Sequence, residues 1–111
     1  MSEIRILEYL DSRGRSPFAG WVEGLNASAA AKVIAALYQL SAGNWSSVKG
    51  VGGGVFERKI DFGPGYRVYF GKDGDTLVIV LGGSSKQRQQ QAIAAARERW
   101  ADYRRRKDSS H

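Results

Sequence analysis

Two alternating runs, Phe56-Glu57-Arg58-Lys59-Ile60-Asp61-Phe62 and Tyr66-Arg67-Val68-Tyr69-Phe70, flank Gly63-Pro64-Gly65. A period of two sends Glu57, Lys59 and Asp61 to one face of the first run, and Arg67 and Tyr69 to one face of the second. The turn between them uses glycines, which permit positive φ, and proline, which fixes φ. Centred there, it places Phe62 opposite Tyr66, Asp61 opposite Arg67 and Lys59 opposite Tyr69, so the outward side chains of Asp61, Arg67, Lys59 and Tyr69 share one face as cross-strand pairs. Lys86 and Arg88 follow the next apolar run and rim the same surface. A concave surface of this kind suits a phosphodiester. Arginine forks onto phosphate oxygens, lysine supplies a point charge, and tyrosine stacks on a base or hydrogen-bonds. RNA carries its own nucleophile, the 2′-OH, so cleavage can rest on positioning and charge stabilisation. The plainer reading of the same residues is an exposed Asp61–Arg67 ion pair, worth under about 1 kcal/mol, on a solvated strand face. Glu57 and Asp61 are poor phosphate neighbours. As a glycosidase pair they share one side of one strand, with no cleft implied.

The elements that must hold this surface are legible from periodicity. Glu3–Leu10 begins with Ile4 and Ile6 opposite Glu3 and Arg5, a first strand. Ser16-Pro17 reads as an N-cap followed by proline at the first helical position, opening a short helix with Phe18, Trp21, Val22 and Leu25 on one side. Asn26 or Ser28 caps a second helix with a Val33, Leu37 and Leu40 stripe, Ile34 and Tyr38 beside it, and Gly43 as a stop. Gly50-Val51-Gly52-Gly53-Gly54 reads as a flexible loop without a GK[ST] phosphate motif. After the two charged runs, Asp73-Gly74 signals a hairpin into Thr76–Leu81, apolar on both faces and suited to a central strand. Residues 86 to about 106 form a last helix with Ile93, Ala96, Trp100 and Tyr103 as its buried stripe. The expected fold class is α+β: an N-terminal strand, a helical hairpin, a three-strand antiparallel meander and a C-terminal helix, with helices on one face of the sheet. Trp21, Trp45 and Trp100 are expected in the core.

Composition narrows the chemistry. The chain has 111 residues, the size of one domain, and is expected to form a single unit over residues 1–103 with a basic tail at 104–111. It has no cysteine, and its single histidine is His111, which excludes thiolate chemistry and leaves no histidine base or metal cluster. No cofactor is expected. No apolar run reaches a membrane span and the first residues lack a signal-peptide core, so a soluble cytoplasmic protein is expected. The net charge is +6. Residues 86–111 hold 8 basic and 3 acidic groups and carry nearly all of it, ending in Arg104-Arg105-Arg106-Lys107. That asymmetry points to a polyanionic partner, a nucleic acid or an acidic protein surface, or else to a solvated tail.

The segment from Phe56 to Phe70, E-R-K-I-D-F-G-P-G-Y-R-V-Y-F after its first residue, resembles the RelE/ParE toxin superfamily. It is most similar to the HigB-like branch of addiction module killer proteins. The resemblance continues through Asp73-Gly74-Asp75, Gly82-Gly83, Lys86 and the helix with Ile93, Ala96 and Trp100, about residues 3–107. It implies the toxin component of a type II toxin–antitoxin module, bound by a cognate antitoxin encoded beside it, here a small helix-turn-helix protein. It further implies a ribosome-dependent mRNA interferase, in which the RNA 2′-OH attacks and basic groups stabilise the phosphate. By position Arg67 matches the arginine of the G-Y-R segment, and Lys59 a basic strand position. Lys86 and Arg88 match a basic cluster loosely, across a loop one residue longer. The catalytic set implied is Arg67, Lys59 and Lys86, with Arg88, Tyr69, Arg104, Arg105, Arg106 and Lys107 binding RNA. Arg58 stands where this branch is usually apolar, and Glu57 where RelE-type enzymes carry a second lysine. ParE-type members share the scaffold but act on DNA gyrase. The alternative implied is therefore a non-enzymatic inhibitor of gyrase or another protein, or an inactive toxin that keeps antitoxin binding.

Overall fold

A computed structural model describes residues 4–109. Glu3, expected in the first strand, and His111 lie outside the described residues, as do residues 1, 2 and 110. The chain order is β1 (Arg5–Glu8), α1 (Pro17–Glu23), α2 (Ala27–Ser41), β2 (Val48–Gly52), β3 (Val55–Ile60), β4 (Tyr66–Lys72), β5 (Leu77–Ser85), a 3₁₀ turn (Lys86–Arg88) and α3 (Gln89–Ser109). The strands form one mixed sheet in the order β1-β5-β4-β3-β2, with β1 parallel to β5 and the other neighbours antiparallel. The fold class is α+β. Among the described residues, no helix is long and apolar enough to cross a membrane.

Two expectations about the architecture are corrected. The meander has four strands, because Val48–Gly52, expected as part of a loop, pairs with β3. Gly52 and Val55 are partners, so Gly53-Gly54 is a two-residue hairpin loop, and both glycines hold positive φ. The helices also cover both faces, not one. On the first face α1 and α2 bring Phe18, Val33 and Leu40 against Val68, Phe70, Val78 and Val80. On the second, α3 lays Ala96 and Trp100 over Val55, Tyr69, Ile79 and Leu81. β5 explains why: it is apolar on both sides, and each side needs its own cover. The packing against α3 is close, since a Cβ at Gly71 would overlap the Trp100 ring.

The helix starts are as expected. Ser16 Oγ accepts from Ala19 N at 3.0 Å and Asn26 Oδ1 from Ala29 N at 2.9 Å. The basic run expected as a tail from residue 104 is instead the last two turns of α3, which stays helical to Ser109. Carboxylates at two levels hold it. Tyr9 donates to Asp102 at 2.6 Å, and Arg106 pairs with Asp102 at 2.6 Å while donating to the Leu10 carbonyl. Tyr103 donates to Asp73 at 2.7 Å, and Lys107 pairs with the same carboxylate.

Candidate functional site

The β3–β4 register decides which charged groups meet. Ile60 pairs with Tyr66, so Lys59 lies opposite Arg67 and Glu57 opposite Tyr69. The expected pairing, with Asp61 opposite Arg67, is two residues off. The reason is the connection: β3 ends at Ile60, and Gly65 N closes back on the Phe62 carbonyl at 3.0 Å, leaving a five-residue loop. A shift of two preserves the faces but changes every partner. Asp61 leaves the strand and pairs with Lys59, at 3.6 Å.

Arg67 takes Glu57 in its place. Its Nε is 3.5 Å from Glu57 Oε1, and the two side chains are 7% and 2% exposed. The distance makes an ion pair but no hydrogen bond. Arg67 Nε, Arg67 Nη1 and Glu57 Oε2 are all buried without a hydrogen-bond partner. Lys49, the direct partner of Glu57 on β2, brings its exposed ammonium to 3.9 Å from the same Oε1. Leaving buried donors and acceptors unmet costs about 1–3 kcal/mol each, more for charged groups. Such groups cluster where a ligand completes them.

A bulge in β5 supplies the next member. Tyr69 pairs with Gly82 and Phe70 with Val80, so Leu81 is the extra residue. Beyond it the alternation inverts, and Ser84 faces the α3 side opposite Arg67. Ser84 Oγ and Tyr69 OH lie 3.1 Å apart in the interior. Burial pushes the Tyr69 phenol above its ordinary range, against the lowering effect of the Ser84 hydrogen bond. Arg99, on α3, donates to the bulged Leu81 carbonyl at 3.0 Å. Lys86 N–H donates to Gly65 O at 2.9 Å, and a Cβ at Gly65 would lie 3.6 Å from Arg67 Nη1 and 3.7 Å from Lys86 Cβ. Arg67 and Lys86 therefore flank one turn.

The expected site residues separate into three groups. Arg67, Lys59 and Lys86 do gather at the Gly63–Gly65 end of the sheet, though Arg67, expected at the surface, is nearly buried. Tyr69, expected to stack on a base or hydrogen-bond at the surface, is fully buried and forms the floor beneath them. Arg88 shares a groove of about 620 Å³ with Lys86, as expected, and also lines one of about 360 Å³ with Trp21, Tyr66 and Ser84. Arg104, Arg105, Arg106 and Lys107 stand by the Asp73 hairpin at the far end of β4, roughly 20 Å from Arg67 at 3.3 Å per residue.

The cluster is net basic. Lys49, Lys59, Arg67 and Lys86 outnumber Glu57 and Asp61, and the Nη1 edge of the guanidinium lacks a partner. Among the described residues no three His, Cys, Asp or Glu side chains are grouped to hold a metal. Sequence reasoning missed Lys49 and Ser84. Lys49 was findable: apolar Val48 and Val51 precede a Gly-Gly pair and a new strand, a hairpin signal. Ser84 was not, because nothing in Leu81-Gly82-Gly83 marks which residue bulges.

No family model matches the chain. A protein of Haemophilus influenzae (strain ATCC 51907 / DSM 11121 / KW20 / Rd), described as uncharacterized, is 41% identical over 81 residues, covering 72% of this chain and 82% of that protein.

Proposed function

The chain belongs to one family with this Haemophilus influenzae protein, and we propose that it is a toxin of the RelE/ParE type that cleaves mRNA on the ribosome. One observation carries this reading: the buried Arg67 guanidinium has two N–H groups without acceptors, beside Lys59 and Lys86. A phosphodiester oxygen is an acceptor of the right charge and geometry. With the scissile phosphate held there, the adjacent ribose 2′-OH gives its proton to water and attacks phosphorus. The P–O5′ bond breaks and the departing O5′ takes a proton from water, leaving a 2′,3′-cyclic phosphate and a 5′-hydroxyl. Arg67 stabilises the charge building on the phosphate oxygens, and Lys59 and Lys86 add to the positive field. The order strand, helical hairpin, antiparallel strands and C-terminal helix suits a RelE/ParE-like scaffold, with one more strand than the sequence suggested. The partner is a cognate antitoxin whose acidic segment covers the same basic end, since charge complementarity speeds and orients such association.

The Glu57–Arg67 pair favours a second reading. A guanidinium committed to a buried carboxylate suits a scaffold that inhibits gyrase or another protein by binding alone. Induced expression with mapping of transcript 5′ ends separates the two. Cuts inside translated codons, suppressed by co-expressed neighbouring protein, are the expected result. Intact transcripts with damaged DNA would replace the first reading by the second.

A further inference from the structure

Glu57 puts a negative charge inside a basic site, 2% exposed and within ion-pair distance of the buried arginine. A solvated acid would turn outward. Instead its Oε1 takes Arg67 Nε and Lys49 Nζ from opposite sides, at 3.5 and 3.9 Å. The guanidinium has two edges, and Glu57 meets it through Nε, while the separate Nη1 donor lies against Gly65, the turn that also carries Lys86. Tyr69 and Ser84, buried and hydrogen-bonded to each other, lie on the same face of the sheet. The pair is long for an ion pair with both Nε and Oε2 unused, as catalytic hydrogen bonds often are before substrate tightens them.

We infer that Glu57 is the positioning residue for Arg67: its carboxylate, in ion-pair reach of Nε, fixes the orientation of the guanidinium so that the Nη donors are held at one angle for a phosphate oxygen. This rests on the reading of Arg67 as the phosphate ligand. Glu57 itself touches no substrate and transfers no proton. Lys49 keeps the carboxylate in place from β2, so the strand missing from the expected fold is part of the device. An arginine on a flexible side chain would reach phosphate anyway, but in many orientations. A misplacement of about 1 Å is enough to lower a rate about 10²-fold.

The test compares wild type with Glu57→Gln and Glu57→Asp, in cleavage of mRNA on purified translating ribosomes and in NMR of the Arg67 Nε–H with inorganic phosphate as probe. Glu57→Gln is expected to lower kcat about 10²-fold while KM changes less than about 3-fold. Glu57→Asp is expected to recover part of kcat, and thermal melting identifies the folded fraction to which each rate is normalised. In the wild type, the Nε–H should resist solvent exchange and phosphate should move the Nη signals. In Glu57→Gln the protection should be lost. An unchanged or raised kcat in folded Glu57→Gln overturns the inference, as does a loss that vanishes on normalisation. If wild type cleaves no mRNA, the functional reading fails and the NMR arm alone decides. Equal Nε–H exchange in wild type and Glu57→Gln then overturns the positioning role, and lost protection upholds it.

Discussion

The two ends of β4 hold similar residues in opposite states. At the Asp73 end, Tyr103 and Lys107 converge on one carboxylate and Tyr9 and Arg106 on another, each through a hydrogen bond or a close ion pair. At the Gly63–Gly65 end, Arg67 and Glu57 are more deeply buried but meet at 3.5 Å with three polar atoms unmet. One end spends its charges on holding α3 to the sheet. The other keeps donors unmet where burial makes that expensive, which is the condition of a site built for a ligand. On the proposed reading, density of basic residues does not mark the site: in the densest cationic run Arg106 and Lys107 are closely paired with carboxylates, whereas the sparser cluster holds the unmet guanidinium.

Arg67→Ala breaks the comparison hardest. It leaves the Glu57 carboxylate buried and uncompensated, at about 3–5 kcal/mol of stability, and removes a donor worth about 10²–10³ in rate. Combining it with Glu57→Gln should restore most of the stability, read by urea unfolding, and none of the growth arrest. A double variant that regains toxicity would reduce the pair to a scaffold element.

Trp100→Ala is the matching change on the α3 side. The ring fills the space over Gly71, so its loss should cost about 3–5 kcal/mol. Activity per folded molecule should fall far less than for Arg67→Ala, because Trp100 packs with Tyr69 and not against the guanidinium.

Much of this was written in the chain. The caps at Ser16 and Asn26, the α3 stripe and the two charged strands follow from local pattern, because each depends on neighbours within one turn or one strand. Pairing was harder. The Gly63–Gly65 turn follows from its residues, but loop length sets register, and two residues of difference put Lys59 in place of Asp61 opposite Arg67, whose ion partner is then Glu57. β2 was hidden by its own composition, since Gly50 and Gly52 have low strand preference and the pairing with β3 overrides it. The run Arg104–Lys107 looked like a tail because its partners, Asp73 and Leu10, are distant in sequence.

The pH dependence sharpens the contrast at the satisfied end. Burial first, then its hydrogen bond to Asp73, pushes the Tyr103 phenol from 10.0 up to about 12. A raised pKa means stability that is present below pH 10 and lost as pH rises toward 12. Tyr103→Phe should cost about 1 kcal/mol near neutrality and flatten this alkaline loss, measured by urea midpoints across that range. An unaltered alkaline slope would show that Tyr103 does not hold α3.

The smallest effect is expected from Arg104→Gln with Arg105→Gln. These exposed side chains contact phosphate, if at all, without selecting sequence, and should change ribosome affinity slightly while making its salt dependence shallower. An unchanged slope would leave the last turns of α3 with structural work alone.

The most direct test pits the two ends against each other in one assay, cleavage of mRNA by purified translating ribosomes. Arg67→Lys keeps the charge but removes the fork, and Arg104→Gln with Arg105→Gln removes two charges at the far end. The account predicts that wild type and the double variant cut within codons at comparable rates, and that Arg67→Lys, folded to the same degree, falls about 10²-fold or more. Equal cutting by Arg67→Lys, or loss confined to the far-end variant, would contradict it.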